Sequence, residues 1–119
     1  MQFSPSDPRG FLPLSPSGFH ILLALSGGER HGYSIAKEVE FATKSVIKLS
    51  PATLYRQIKQ MVAGGWIEAA DRRDSEDPRR RYYRLTEWGR RVAEAEATRL
   101  AELVRVARSR QLLTLMEPL

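Results

Sequence analysis

The sequence predicts a mainly α fold with one small β-hairpin. Three stretches carry that expectation: a sharply bounded helix near the middle of the chain, a polar hairpin directly after it, and a long C-terminal helix. In residues 49–68, LSPATLYRQIKQMVAGGWIE, Ser50 is a good N-cap, Pro51 suits the first helical position, and Gly64-Gly65 supplies a residue able to take positive φ at the end. At about 100° per residue, Leu54, Ile58 and Met61 share one face, with Val62 at its edge. Ala52, Arg56, Lys59, Gln60 and Ala63 occupy the opposite face.

That opposite face has the chemistry of a helix that reads nucleic acid. Small side chains let a backbone approach closely, while Arg, Lys and Gln donate to phosphates and base edges. The hairpin follows at once. Residues 66–70 suit a short strand, residues 71–78 are polar and turn-rich, and residues 81–85 suit the returning strand. The loop and its return set Arg72, Arg73, Arg79, Arg80, Arg81 and Arg84 against Asp74, Glu76 and Asp77. A basic-faced helix and a basic wing together form a two-point grip on a duplex.

Residues 14 to about 108 resemble the PadR-like transcriptional regulator family, which has a winged helix-turn-helix fold. The matching stretches are FHILLAL (19–25), HGYSIAKEV (31–39), SPATLYRQIKQM (50–61), GWIE (65–68) and RRRYYRLTEWGRR (79–91), in that order. One departure stands out: the family usually has Gly immediately before Thr-Leu-Tyr, and here the residue is Ala52. The resemblance implies a dimeric, sequence-specific DNA-binding regulator, most simply a repressor on an inverted-repeat operator. It places Thr53, Tyr55, Arg56 and Lys59 in or beside the major groove. Ser50, Tyr33 and Lys37 then hold the phosphate backbone, and Arg79, Arg80 and Arg81 on the wing meet adjacent phosphates or the minor groove. It also implies release by a small hydrophobic or aromatic effector near the dimer interface, for which Trp66 and Trp88 are the aromatic candidates. An RNA- or protein-binding adaptor using the same basic surface is the alternative, since fold does not fix function.

Composition is compatible with this reading. A chain of 119 residues, 42% hydrophobic and 28% charged, fits one domain with a modest core, and a net charge of +5 suits a polyanionic partner. The absence of cysteine excludes disulfides, thiolate metal sites and cysteine nucleophiles. With two histidines and no HExxH, GxSxG or phosphate-cradling loop, no catalytic constellation assembles, and neither cofactor nor metal is expected. No run reaches the ~18–20 apolar residues of a membrane span, and the N-terminus lacks signal-peptide character, so the expected location is the cytoplasm.

The remaining elements follow in order. Residues 1–14, with Pro5, Pro8, Gly10 and Pro13, are expected to form an extended arm. Residues 15–85 form the DNA-binding domain. Its first helix starts at Ser15-Pro16 and ends at Gly27-Gly28. Its second starts near His31 and buries Ile35, Ala36 and Val39, with Gly32 allowing close packing at the entry. Residues 86–110 form a helix capped by Thr86, followed by a tail over 111–119. On that helix Ala93, Ala97, Leu100, Val104 and Ala107 recur at steps of four and three, with Leu103 widening the stripe, as in a coiled-coil seam. A helix of about 24 residues is ~36 Å long, more than a small winged domain covers, so its distal half is expected to seek a second copy.

Overall fold

The computed structural model describes residues 3–71 and 77–113. A 3-10 turn (Pro8–Phe11) leads into α1 (Pro16–Ser26), β1 (Arg30–His31), α2 (Gly32–Ala42), α3 (Pro51–Ala63), β2 (Ile67–Ala70), β3 (Tyr82–Leu85) and α4 (Glu87–Ser109). The helix starts lie where the capping residues predict. Ser15 Oγ accepts the Gly18 N–H at 3.0 Å, Ser50 Oγ the Thr53 N–H at 3.2 Å, and Thr86 Oγ1 the Gly89 N–H at 3.0 Å. Gly65, just past the end of α3, takes φ +76°, which a side chain would strain.

The structure adds to two expectations. The sheet has three strands in the order β1-β3-β2, all antiparallel, rather than the two of a simple hairpin. Arg30 and His31 pair with Tyr83 and Tyr82, on the edge of β3 opposite β2. Two residues are too few to show the alternation that marks a strand, so nothing local announces β1. The N-terminal arm is not simply extended. Asp7 caps a 3-10 turn whose Phe11 packs edge-on against Trp66 and Trp88 at 5.5 and 6.1 Å between ring centres.

The core lies where α1, α2 and α3 meet the sheet and the start of α4. Ile21, Leu22 and Leu25 of α1 pack with Ile35 and Val39 of α2, Leu54, Ile58 and Met61 of α3, Ile67 of β2, and Val92 of α4. The apolar face read for α3 is therefore its buried face, while Val62, at its edge, is exposed. The turn between α2 and α3 is tied by Thr43, whose Oγ1 donates to the Val39 carbonyl (2.9 Å) and accepts the Ile47 N–H (3.0 Å). The entry of α4 is pressed against the start of β2. The Thr86 N–H donates to the Trp66 carbonyl at 3.1 Å, and a Cβ on Gly89 would run into that same carbonyl.

Ala93, placed on the predicted seam, packs against the domain's own core. Beyond Glu96, α4 buries no further residue, and Leu103 is 53% exposed. Among the described residues no helix is long and apolar enough to cross a membrane.

Candidate nucleic-acid interface

Two adjoining grooves gather most of the basic and aromatic residues picked out in the sequence. One, between α2 and α3, is lined by Tyr33, Lys37, Lys48, Pro51 and Tyr55. The other, between the start of α2, α3 and the approach to β3, is lined by His31, Tyr33, Tyr55, Arg79, Arg80 and Arg81. Tyr33 and Tyr55 belong to both, so the two grooves form one continuous surface.

Within α3 the outward residues have different jobs. Arg56 and Lys59 are exposed and make no ion pair among the described residues, leaving their charges available to a partner. The Ser50 and Thr53 hydroxyls bond to each other at 3.1 Å while Ser50 caps the helix, so part of their capacity is already used internally. The hydroxyl of Tyr55 lies over Gly32, where an added Cβ would come within 2.9 Å of the ring carbon bearing it. Gly32 thus admits Tyr55, and their contact sets α3 against the start of α2. Tyr55 remains 52% exposed, with the rest of its ring available at the surface. Tyr33 is 62% exposed, stacked on His31 and overlain by the Lys37 ammonium at 5.4 Å from its ring centre.

The wing arginines diverge. Arg79 is almost fully exposed and meets Asp77 at 3.4 Å, and Arg81 is exposed. Arg80 turns inward, its Nη1 lying 3.4 Å from His31 Nε2. His31 also caps α2, its Nδ1 accepting the Ser34 N–H at 3.3 Å. Arg84 is engaged by carboxylates: it bonds Glu68 across the strands at 2.9 Å and reaches Glu29 at 3.5 Å, and the two, Glu68 foremost, hold its guanidinium above the ordinary arginine range. Arg72 and Arg73 lie outside the described residues.

Two contributors escaped the sequence reading. Lys48 lines the α2–α3 groove, and its only local signal is a cation two residues ahead of the Ser50 cap. His31 joins helix cap and wing, a role that depends on β1 pairing with β3.

This arrangement has counterparts in known proteins. The statistical description of the transcriptional regulator PadR-like family matches residues 21–95, more than half of the chain. The chain belongs to the PadR-like family of transcriptional regulators. A PadR-family regulator from Clostridium difficile R20291 superposes with a TM-score of 0.66 at 25% identity, covering 80% of this chain and 97% of that one. A PadR-like regulator from Bacillus cereus gives 0.68 at 20% identity, with 82% and 92% covered. A transcriptional regulator from Clostridium thermocellum gives 0.65 at 23% identity, with 90% and 96% covered. No curated protein sequence matches. The PadR-like fold explains why α3 follows α2 so closely and why β2 and β3 stand directly after it: helix-turn-helix and wing form one unit.

Proposed function

We propose that two copies of this PadR-like regulator bind a two-fold related duplex DNA site and repress transcription by occupying it. The observation that carries this reading is that the helix whose Tyr55 lines both grooves, beside Tyr33, Lys37 and the wing arginines, also carries exposed Arg56 and Lys59, which make no ion pair among the described residues. Thr53, Arg56 and Lys59 reach base edges, and Tyr55 contributes at the groove edge while bracing α2. Ser50, Tyr33, Lys37 and Lys48 hold phosphates on one side, and Arg79 and Arg81 hold them on the other. Arg80 steadies the wing against His31. The stripe from Ala97 through Leu100, Leu103 and Val104 to Ala107, in which Ala97 and Leu103 are exposed and the others half-buried, pairs with a second copy, spacing the two reading helices for successive turns of the duplex.

The effector expected from the family resemblance has room beside Trp66, in a cleft of about 370 Å³ that Phe11, Pro13 and Met61 also line. Its location and the seam are independent parts of the reading. Selection of bound fragments from the source genome identifies the operator. On that operator Arg56→Ala is expected to lose about 1–3 kcal/mol and to flatten discrimination between cognate and altered half-sites. An equal loss on cognate and random duplex assigns Arg56 to the backbone instead and removes base reading by this residue.

A further inference from the structure

Residues 3–14 lie outside the part of the chain matched to the family, yet they touch both α4 and the residue that leaves the end of α3. Phe11 is set edge-on to Trp66 and Trp88 at once. Trp66 directly follows the turn that ends α3, and Trp88 is the second residue of α4. Three residues further on, the Leu14 N–H donates to Glu96 Oε2 at 2.8 Å. Glu96 is 2% exposed, and Arg99 grips the same carboxylate through both Nε and Nη2. On its other flank the arm reaches α3 through Trp66, whose backbone N–H donates to the Met61 carbonyl at 2.9 Å, and the first turn of α1, which follows the arm, is tied to α3 where Gln57 Nε2 donates to Ser17 Oγ at 3.0 Å.

Apart from the arm, α4 is held near its start, at its entry and by Val92 and Ala93 in the core, and its distal part is a lever. Its entry is anchored at Thr86 and Gly89, where it abuts Trp66. Glu96 lies two turns beyond Gly89, about 10 Å along the axis, and the attachment there lengthens the held part of the helix past Val92. The leverage is large. From Gly89 to Ala107 is about 27 Å, so a swing of about 10° displaces the distal end by about 5 Å. That exceeds the ~3.4 Å step between successive base pairs of a duplex.

We propose that the N-terminal arm is a strut between the reading helix and α4, with Phe11 and Glu96 as positioning residues that set the half-site spacing the dimer accepts. The functional half of this inference rests on the dimeric DNA-binding reading above. The mechanical half does not.

The chain contains no cysteine, so introduced cysteines are the only labelling sites. Spin labels at Ala63→Cys on α3 and Ala101→Cys on α4, both exposed, report the angle between the helices by electron–electron distance measurement. Labelled chains are diluted into unlabelled ones so that each distance lies within one protomer. A narrow distribution is expected in the otherwise unaltered protein, broadened or shifted by several ångströms when Phe11→Ala is added, and further with Glu96→Gln. An unchanged distribution in Phe11→Ala, whose side chain lies outside the central core, overturns the strut even if Glu96→Gln fails to fold. In parallel, unlabelled protein is titrated against operators whose half-sites are moved by one and two base pairs. The original chain is expected to prefer one spacing at least fivefold, and Phe11→Ala, its mass checked by light scattering, to lose most of that preference. An altered distance distribution with an unaltered spacing preference overturns the functional half. Absence of DNA binding by the original chain removes the regulator reading and with it the spacing role, while the distance measurement still decides the strut.

Discussion

α4 carries the same local ion pair twice, Glu96 with Arg99 and Glu102 with Arg105, each spaced i to i+3 and each with both guanidinium arms on one carboxylate. Their surroundings differ completely. The Glu96 side chain is 2% exposed and accepts a third hydrogen bond from the backbone of a segment 82 residues away, whereas Glu102 is 59% exposed and among the described residues bonds only its helical neighbour. A buried carboxylate is costly unless every lone pair is met, and removing one of its partners exposes that cost. An exposed pair is screened by water and salt and contributes little. Spacing along a helix thus creates the pair, but what packs over it decides whether the fold depends on it. The two pairs also divide α4 into a half held by its own domain and a half that buries no residue fully.

The strongest way to break this division is to attack the distal half where a second copy is proposed to bind. Leu100→Asp together with Val104→Asp is expected to halve the mass in solution and lower operator affinity by about 10²–10⁴-fold, because two linked half-site contacts become one. Light scattering decides it, and a double mutant that keeps the original mass at micromolar concentration sinks the seam.

A smaller effect is expected at the proximal pair. Glu96→Ala leaves the Leu14 N–H without its acceptor, with a cost of about 1–3 kcal/mol readable as a lower melting temperature. The same carboxylate should be visible in acid. The Arg99 hydrogen bonds, aided by the Leu14 N–H, hold Glu96 below the ordinary glutamate value of 4.5 despite its burial. A carboxyl group lowered by folding contributes stability in full above that ordinary value and loses it as the pH falls through the lower, folded one. Stability of the original chain should therefore decline on acidification, and Glu96→Gln should flatten part of that decline. A Gln variant with an unaltered acid limb would show that Glu96 is not held by these bonds.

The smallest effect is expected at the exposed pair. Glu102 is also lowered by its bond to Arg105, but it stands in water. Glu102→Gln should leave the melting temperature unchanged within error, and any acid-limb difference should vanish in 1 M salt, where the screening length is about 3 Å. A loss comparable to that of Glu96→Ala would mean that burial is not what separates the two pairs.

Much of the scaffold was legible because it is written in short-range terms. Ser15-Pro16, Ser50-Pro51 and Thr86 name helix starts through one hydroxyl and one backbone N–H, and Gly65 names an end through φ alone. The buried face of α3 followed from the spacing of Leu54, Ile58 and Met61. Less of the candidate site was legible. Arg79, Arg80, Arg81 and Arg84 look alike in sequence, yet one is paired at the surface, one turns toward His31, one is exposed, and one is locked between Glu68 and Glu29. Those differences arise between elements distant along the chain, where no periodicity reports them.

By itself, then, the sequence determined the helix boundaries, the sidedness of α3 and the family to which the chain belongs, because capping, helical period and motif order are properties of neighbouring residues. Tertiary structure alone decided that Arg30 and His31 become a strand, that Gly32 makes room for Tyr55 and Gly89 for Trp66, and that a proline-rich arm closes over Glu96. Each of these depends on which backbone or ring arrives opposite a residue, and that is set only when the whole core has packed.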